Sequence, residues 1–222
     1  MDRRDFRIKR NFAGPKGRKL LSLMARILVR PVLPVVITLS LALSAGCSGV
    51  LGTPYERANG YVADANEAIE EHNRFFEEAR DTYEDAKDSL ETGETTTQEA
   101  TSQEIGRFTQ ARTTMQEAQD TLEEARGPLS EVQDLEVEAE IQEYTGLLSE
   151  AIDAQLAAEN REINFYEILE RDPTLADNRQ EAEDILTEVD DGYEEAEDAY
   201  NRAQELADAN PELLPAESQS SR

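Results

Sequence analysis

The sequence predicts an all-α protein, an elongated antiparallel four-helix bundle or coiled coil. Three observations predict this class. Residues 53–210 are rich in Ala, Glu, Asp, Gln and Arg, and no tract alternates apolar and polar residues as a strand does. Apolar residues instead recur at alternating steps of three and four, which is the spacing of a heptad seam. A Thr-rich break at 91–97 and short breaks at 127–128 and 172–173 divide the seam into four segments, so sequential helices are expected to be antiparallel.

The first predicted helix covers residues 54–91. Thr53 is a favoured N-cap residue, Pro54 suits the first helical position, and Glu56 completes a capping box. The helix ends where Gly93 and several threonines interrupt the pattern. Its seam consists of Tyr55, Ala58, Val62, Ala65, Ile69, His72, Phe76, Ala79, Tyr83, Ala86 and Leu90.

The second predicted helix covers residues 101–126. Thr101 and Glu104 have the spacing of a second capping box, and Gly127-Pro128 ends the helix. Its seam consists of Phe108, Ala111, Met115, Ala118, Leu122 and Ala125.

The third and fourth predicted helices cover residues 128–171 and 173–209. Asp172-Pro173 is expected to end the third helix and to cap the fourth, and Asn210-Pro211 ends the fourth. Residues 211–222 are predicted to be a disordered tail. The third seam consists of Leu129, Val132, Val137, Ile141, Tyr144, Leu148, Ile152, Ile163, Tyr166 and Leu169, and the fourth of Ala182, Leu186, Val189, Tyr193, Ala196, Tyr200, Ala203 and Ala207.

One short pattern occurs once in each predicted helix. It reads large-x-Glu-Ala-x-Asp-x-large-x-x-Ala and begins at Phe76, Met115, Leu148 and Tyr193. The copy that begins at Leu148 has Gln155 in place of the second large residue. Alternation of a bulky residue with alanine lets facing helices approach closely. The unequal offsets between copies favour coincidence within a biased composition over duplication of a helical hairpin.

The net charge of −27 divides at residue 46. Residues 1–46 contain ten Lys or Arg and two Asp or Glu, a net charge of +8, whereas the remainder contains 12 basic and 47 acidic residues, a net charge of −35. So acidic a body argues against nucleic acid as a partner, because phosphate binding needs a cationic face, and against adsorption to anionic lipid. The single Cys excludes an intramolecular disulfide, and the single His excludes a multi-histidine metal site.

The N-terminal segment has the organisation of a signal peptide. A basic stretch ends at Arg30, and an apolar run over 32–45 is shorter than the ~20 residues of a membrane span. The run ends in Leu43-Ser44-Ala45-Gly46-Cys47, which resembles the lipobox of bacterial lipoproteins. The resemblance implies that the signal peptide 1–46 is removed and that Cys47 carries diacylglycerol, with or without a further N-acyl chain. It also implies export and anchoring to the outer face of the cell membrane, or to the outer membrane of a host with two membranes.

Three alternatives to this N-terminal interpretation stay open. Ser44 stands where the lipobox most often has leucine. The first alternative is therefore an uncleaved signal anchor, which would keep residues 1–46 attached. Translation that begins at Met24 would make residues 1–23 an upstream extension that is not translated. Arg3-Arg4-Asp5-Phe6 resembles the opening of a twin-arginine export signal, although Arg7 stands where an apolar residue is expected.

The sequence predicts no catalytic residue, cofactor or metal site. His72 occupies the first seam, but Ile69 stands where a di-iron bundle has the glutamate that precedes its histidine. We expect His72 to hydrogen-bond to a carboxylate, with use as a pH-sensitive element as the alternative. Asp190-Asp191-Gly192 resembles part of a calcium loop, but Val189 and Thr187 break its ladder of oxygen ligands. No serine lies in a glycine-rich elbow, and no glycine-rich phosphate loop occurs.

Together these features predict a non-catalytic, membrane-anchored lipoprotein, a helical spacer or protein-interaction module of the bacterial cell envelope, whose envelope or cell-wall partner is unknown. The lipidated tether 47–52 would hold the bundle within ~17 Å of the membrane surface. The alternative is a ligand-binding lipoprotein that takes a small molecule, a glycan or a divalent cation in the bundle core or in an aromatic groove. Tyr61, Phe75 and Phe165 lie beside the seams and would line such a groove or, alternatively, widen the buried stripe.

Overall fold

The computed structural model describes residues 52–92 and 98–211, and these are almost entirely helical. Within those two ranges no β-strand occurs, which confirms the predicted all-α class. The leader 1–46, Cys47 and the tail beyond Pro211 lie outside the described residues. No helix in the described ranges is long and apolar enough to cross a membrane. The helices are α1 (Pro54–Thr92), α2 (Gln98–Glu124), α3 (Arg126–Gln133), α4 (Ala139–Arg171) and α5 (Arg179–Ala209).

α1 begins at the predicted capping box. The backbone N–H of Glu56 donates to Thr53 Oγ1 at 3.2 Å, and the backbone N–H of Thr53 donates to Glu56 Oε2 at 2.8 Å. These reciprocal bonds satisfy backbone donors that the first turn of a helix leaves without a partner. The first helix therefore starts at residue 54 for the reason that the sequence indicates.

The predicted capping box of the second helix is wrong. α2 begins at Gln98, so Thr101 and Glu104 lie inside the helix. Glu104 is turned inward and is only 2% exposed, and its carboxylate accepts from Ser89 Oγ at 2.9 Å and from Arg107 Nη1 at 3.3 Å. This carboxylate joins α1 to α2 instead of capping a helix end.

The break predicted at Gly127-Pro128 is misplaced, because α2 ends at Glu124 and both residues lie in α3, which begins at Arg126. The helix predicted over 128–171 is also divided in two. α3 ends at Gln133, and α4 begins at Ala139 after a short connection. The side-chain amide of Gln142 donates to the carbonyl of Leu135 at 3.0 Å, and that of Gln133 donates to the carbonyl of Gln142 at 2.9 Å. Leu135, 8% exposed, packs into the core. Glutamine amides and one buried leucine therefore make a turn that contains neither Gly nor Pro.

The N-terminus predicted for the last helix at Pro173 is also wrong, because Asp172 holds a loop and α5 begins at Arg179. The Asp172 carboxylate accepts from the backbone N–H groups of Ala176, Asp177 and Asn178 at 3.1, 2.9 and 3.2 Å. Burial alone would raise the pKa of Asp172, but these hydrogen bonds favour the charged form and lower it. Leu175, with φ of 51°, is buried and fastens the loop to the core.

The helices pack as a bundle, in which α1 lies close to α2 and α3, while α4 lies close to α2, α3 and α5. α1 contacts α4 and α5 through longer side chains, such as those of His72 and Phe76. Hydrogen bonds between α4 and α5 join residues in opposite order along the two helices. Gln155 accepts from Tyr200. Glu162, about two turns further along α4, accepts from Tyr193, which lies about two turns earlier on α5. Between α1 and α2, Asp85 and Ser89 contact Arg107 and Glu104 in the same opposed manner.

Most residues of the predicted seams form the core, but Tyr55, Leu90, Val137 and Tyr193 are only partly buried. In α2 every seam residue is at most 1% exposed, and in α1 the seam from Ala58 to Ala86 is at most 7% exposed. Phe165 is fully buried, as expected if it widens the buried stripe of its helix. Tyr61 and Phe75 are half-buried.

Gly192 marks a close approach of two helices and not a calcium loop. It lies within α5, where an added Cβ would meet the Cβ of Ala158 on α4 at 2.9 Å and its Cα at 3.3 Å. Glycine is therefore required at this position by packing, and the residues before it continue a regular helix.

Replacement of Gly192 by alanine is expected to lower the free energy of unfolding by about 1 kcal/mol. Overpacking typically costs about 1–3 kcal/mol, which outweighs the gain of up to about 1 kcal/mol in helix propensity. Gly146 on α4 is the matched control, because a Cβ there meets nothing within 4 Å and Gly146→Ala should stabilise the protein. Urea unfolding of both variants tests this contrast, and equal effects at the two sites would contradict it.

Candidate functional site

A group of polar side chains, most of them buried and two of them (Arg80 and Tyr193) partly buried, crosses the interior between α1, α4 and α5, and we call it the polar cluster. His72, Glu159 and Glu162 are 0% exposed. Charged groups with this burial are rare unless they are paired. The cluster consists of His72 and Arg80 from α1, Gln155, Glu159, Glu162 and Tyr166 from α4, and Tyr193 and Tyr200 from α5.

The first half of the cluster is centred on Glu159. His72 Nε2 lies 2.7 Å from Glu159 Oε1, and the Gln155 amide donates to the same oxygen at 3.0 Å. Gln155 Oε1 in turn accepts from the Tyr200 hydroxyl at 3.1 Å. The other ring nitrogen of the histidine, Nδ1, lies 3.1 Å from Asn73 Oδ1. A chain of hydrogen bonds thus connects three helices at this level.

The second half is centred on Glu162. Its Oε1 accepts from the Tyr166 hydroxyl at 2.5 Å, and its Oε2 accepts from the Tyr193 hydroxyl at 2.7 Å. Arg80 Nε lies 3.7 Å from Glu162 Oε1, and the arginine side chain is 14% exposed. Two phenols and a guanidinium therefore surround this carboxylate.

Phe76 connects the two halves. The His72 ring stacks on the Phe76 ring at 5.6 Å between centroids, and Arg80 Cζ lies 4.6 Å from the same ring. Tyr193 approaches Phe76 edge-on at 5.9 Å and lies 5.3 Å from Arg80 Cζ. These distances are within the range of cation–π attraction for the guanidinium.

The ionisation of the second half follows from burial and charge. Burial raises the pKa of Tyr166 and Tyr193 well above the ordinary value, and the charge of Glu162 raises both further. Burial alone would lower the pKa of Arg80, but attraction to Glu162 and smaller effects of its neighbours raise it. The two phenols thus remain hydrogen-bond donors, and the guanidinium remains the countercharge of Glu162.

Two charged atoms of the cluster are incompletely satisfied. Among the described residues, neither Glu159 Oε2 nor Arg80 Nε has a hydrogen-bond partner. A buried carboxylate oxygen without a donor is costly, because the desolvation of its charge is not compensated. The cluster thus places ionisable groups, namely His72, Arg80 and two glutamates, in an otherwise apolar interior. In the described ranges no three His, Cys, Asp or Glu side chains are placed to hold a metal ion.

The residues singled out in the sequence fall in different places. Cys47, the predicted lipidation site, lies outside the described residues. His72 makes the expected hydrogen bond to a carboxylate, and the structure identifies Glu159 as its partner, 87 positions away in the sequence. Phe165 lies in the core and contacts Tyr83 at 5.9 Å. Asp190 and Asp191 lie on α5.

Sequence reasoning missed Arg80, Gln155, Glu159 and Glu162. A signal for three of them exists, because steps of four and three from Leu148 lead through Ile152 to residues 155, 159, 162, 166 and 169. Continued strictly, the seam of α4 thus passes through three polar residues before it reaches Tyr166. Gln155 also replaces the second large residue of the repeated pattern. Polar residues at consecutive seam positions indicate a buried network.

No protein-family model, curated protein or solved structure matches this chain.

Proposed function

We propose that this chain is a bacterial lipoprotein, whose helical body is a non-catalytic spacer or protein-interaction module of the cell envelope. The observation that carries the proposal is Leu43-Ser44-Ala45-Gly46-Cys47, which follows an apolar run and a basic stretch. α1 begins at Pro54, only seven residues after Cys47. The order of leader, acylated cysteine, short tether and helical body is the expected order of an exported, lipid-anchored protein.

The body is proposed to be an elongated antiparallel four-helix bundle with heptad packing. α1, α2, α4 and α5 are its four long helices, and α3 makes the turn between α2 and α4. Opposed contacts along α4 and α5 and along α1 and α2 support this arrangement. α1 has 39 residues, so it extends about 58 Å. Such a body can separate the membrane from a partner by several tens of ångströms.

The orientation at the membrane follows from the tether and the charge. Residues 47–52 keep the N-terminal end of α1 within ~17 Å of the lipid. Ala58 and Val62 share a core cluster with Ala203 and Ala207, so the C-terminal end of α5 lies at the same end of the body. A net charge of −35 over 47–222 repels anionic lipid. The long axis therefore points away from the membrane.

A structural role for the interior supports the non-catalytic part of the proposal. The carboxylates of Glu159 and Glu162 are fully buried and face other side chains of the same chain. A catalytic group must reach a reacting atom, and these groups face the centre of the bundle. The polar cluster instead fixes the register of α1 against α4 and α5.

Replacement of Cys47 by serine tests the proposal. Wild-type protein labelled with radioactive palmitate in growing cells should carry the label, remain in the membrane fraction and lack its leader. Cys47→Ser should incorporate no label and keep residues 1–46, because the resemblance implies that acylation precedes cleavage. Ser48→Ala is the matched control and should behave as wild type. Absence of label in the wild type, or equal labelling of Cys47→Ser, would contradict the proposal.

A further inference from the structure

We propose that His72 and Glu159 form a buried proton-binding pair, which couples the packing of α1 against α4 and α5 to the pH of the surroundings. Both residues lie in helices of the body, so the inference holds whether or not Cys47 carries a lipid anchor.

Hydrogen-bond chemistry gives the number of protons in the pair. The Asn73 amide is oriented with Oδ1 toward His72 Nδ1 at 3.1 Å, and because an amide oxygen only accepts, this orientation places a hydrogen on Nδ1. At the other side of the ring, His72 Nε2 lies 2.7 Å from Glu159 Oε1, and a second proton must lie between these two atoms. We place this proton on His72 Nε2, so the pair is an imidazolium beside a carboxylate and holds one proton more than a neutral imidazole beside a carboxylate. The Gln155 amide nitrogen lies 3.0 Å from Glu159 Oε1 and 3.3 Å from His72 Nε2. When Nε2 carries the proton, the amide donates to the carboxylate oxygen alone, which favours the imidazolium and carboxylate form.

The charge balance of the cluster requires the same proton. Glu159 and Glu162 are both 0% exposed, and the guanidinium that faces them, Arg80, can neutralise only one of them. Glu162 has Arg80 and two phenol donors, whereas Glu159 Oε2 has no hydrogen-bond partner among the described residues. A proton held between His72 and Glu159 makes the cluster electrically neutral. Without it, one buried carboxylate would lack a countercharge.

The surrounding groups are compatible with a positive imidazole. From α1, Phe76 stacks on the ring; Arg80 lies on the same phenyl ring and pairs with Glu162 of α4. From α5, the hydroxyls of Tyr193 and Tyr200 bind Glu162 and Gln155 and stay protonated, because burial raises the pKa of both tyrosines. The remaining titratable neighbour is Tyr166, which donates to Glu162. α2 directs its Arg112 to Glu170, away from the pair.

The direction of the pH effect follows from linkage. The folded pair retains a proton that a histidine in the unfolded chain releases above about pH 6.5. Folding then takes up a proton, so the stabilisation is complete below that pH and declines as the pH rises. One proton corresponds to a rise in the unfolding equilibrium constant of up to about tenfold per pH unit. Alkaline conditions should therefore loosen α1 from α4 and α5.

The composition makes the effect assignable. The chain contains one histidine. Ordinary carboxyl groups titrate near pH 4, and lysine and tyrosine titrate near pH 10. A free α-amino group and a free Cys47 thiol titrate near pH 8, but both precede the helical body and lie outside the described residues. Between about pH 6.5 and 8.5, a change in the protonation of the folded body is therefore attributable to His72 with its partner Glu159.

The direct test is NMR of the full-length chain in detergent, with isotope-labelled histidine. A single imidazole contributes, so its two ring-nitrogen signals need no assignment. We expect both nitrogens to carry a proton at about pH 8, where a free histidine is neutral. One protonated and one bare nitrogen at that pH would overturn the proposal.

A second test compares stability profiles. The urea midpoint of the wild type should fall from about pH 6.5 to 8.5, whereas that of Glu159→Gln should be flat above about pH 7, because a neutral amide does not hold the second proton. Glu167→Gln, an exposed position on the same helix, is the matched control and should keep the wild-type slope. A flat wild-type profile, or the same slope in Glu159→Gln as in the wild type, would refute the pair. If Glu159→Gln fails to fold, the wild-type profile and the NMR measurement decide the question.

Discussion

Replacement of Arg80 by methionine is expected to destabilise the folded chain by about 3–5 kcal/mol, because it leaves the buried carboxylate of Glu162 without a countercharge. Glu162 is fully buried, and Arg80 is the cation that faces it, 3.7 Å from its carboxylate. The methionine fills similar space over Phe76, so the loss reflects charge and not a cavity. Urea unfolding of the full-length chain in detergent measures the effect.

Two further variants separate charge from packing. Arg80→Lys keeps the charge but not the planar contact with Phe76 and Tyr193, so it should lose less stability than Arg80→Met. The double variant Arg80→Met/Glu162→Gln removes the uncompensated charge. Its amide oxygen can accept from one phenol and its NH2 group can donate to the other phenol oxygen, so it should recover most of the loss. If the losses of stability caused by Arg80→Met and by Glu162→Gln simply add in the double variant, the electrostatic explanation fails.

Replacement of Tyr83 by alanine is expected to lower the free energy of unfolding by about 3–5 kcal/mol. Tyr83 is 1% exposed, and its ring lies 6.1 Å from Phe108, 5.9 Å from Phe165 and 5.4 Å from Tyr166. Its removal leaves a cavity where α1, α2 and α4 meet, and the rings around it lose their packing partner. Thermal and urea unfolding measure the loss.

The controls for this second prediction use the same chemistry elsewhere. Tyr83→Phe keeps the ring and should cost much less than Tyr83→Ala. Phe75→Ala removes an aromatic ring that is half-buried and lies against Arg74 at 4.4 Å, so it should cost about 1 kcal/mol or less. A loss at Phe75 as large as the loss at Tyr83 would show that the buried aromatic group is not the centre of this part of the core.

Much of the fold follows from local rules that the sequence displays. The seam of α2 is buried at every position because its steps of three and four keep one side of the helix toward its neighbours. α1 begins at residue 54 because Thr53 and Glu56 satisfy the first backbone donors. Such features depend on residues within one or two turns of each other, so a single sequence contains the information.

Features that depend on distant partners could not be predicted. Asp172 has the sequence of an N-cap, but it holds a loop through the backbone of residues 176–178. Glu104 has the sequence of a capping box, but it joins two helices through Ser89. The connection at 134–138 has no Gly or Pro, and its geometry depends on the amides of Gln133 and Gln142. In each case a tertiary contact outweighs the local preference.

The polar cluster shows the same limit at the candidate site. The sequence contains 49 acidic residues, and most of them cover the solvated surface. Glu159 and Glu162 differ from these because the strict heptad of α4 turns them inward, where they meet side chains of two other helices. Extending the heptad pattern of α4 through polar as well as apolar positions identifies both residues. Their partners His72 and Arg80 could be assigned only once the helices were placed against each other.

The central claim, that this is a lipid-anchored protein with a discarded leader, is tested most directly by the intact mass of the protein extracted from membranes with detergent. The proposal predicts a chain that begins at Cys47, with the added mass of a diacylglycerol group and with or without one further acyl chain. This mass is the same whether translation starts at Met1 or at Met24. A chain that retains residues up to 46 and has an unmodified Cys47 would contradict it.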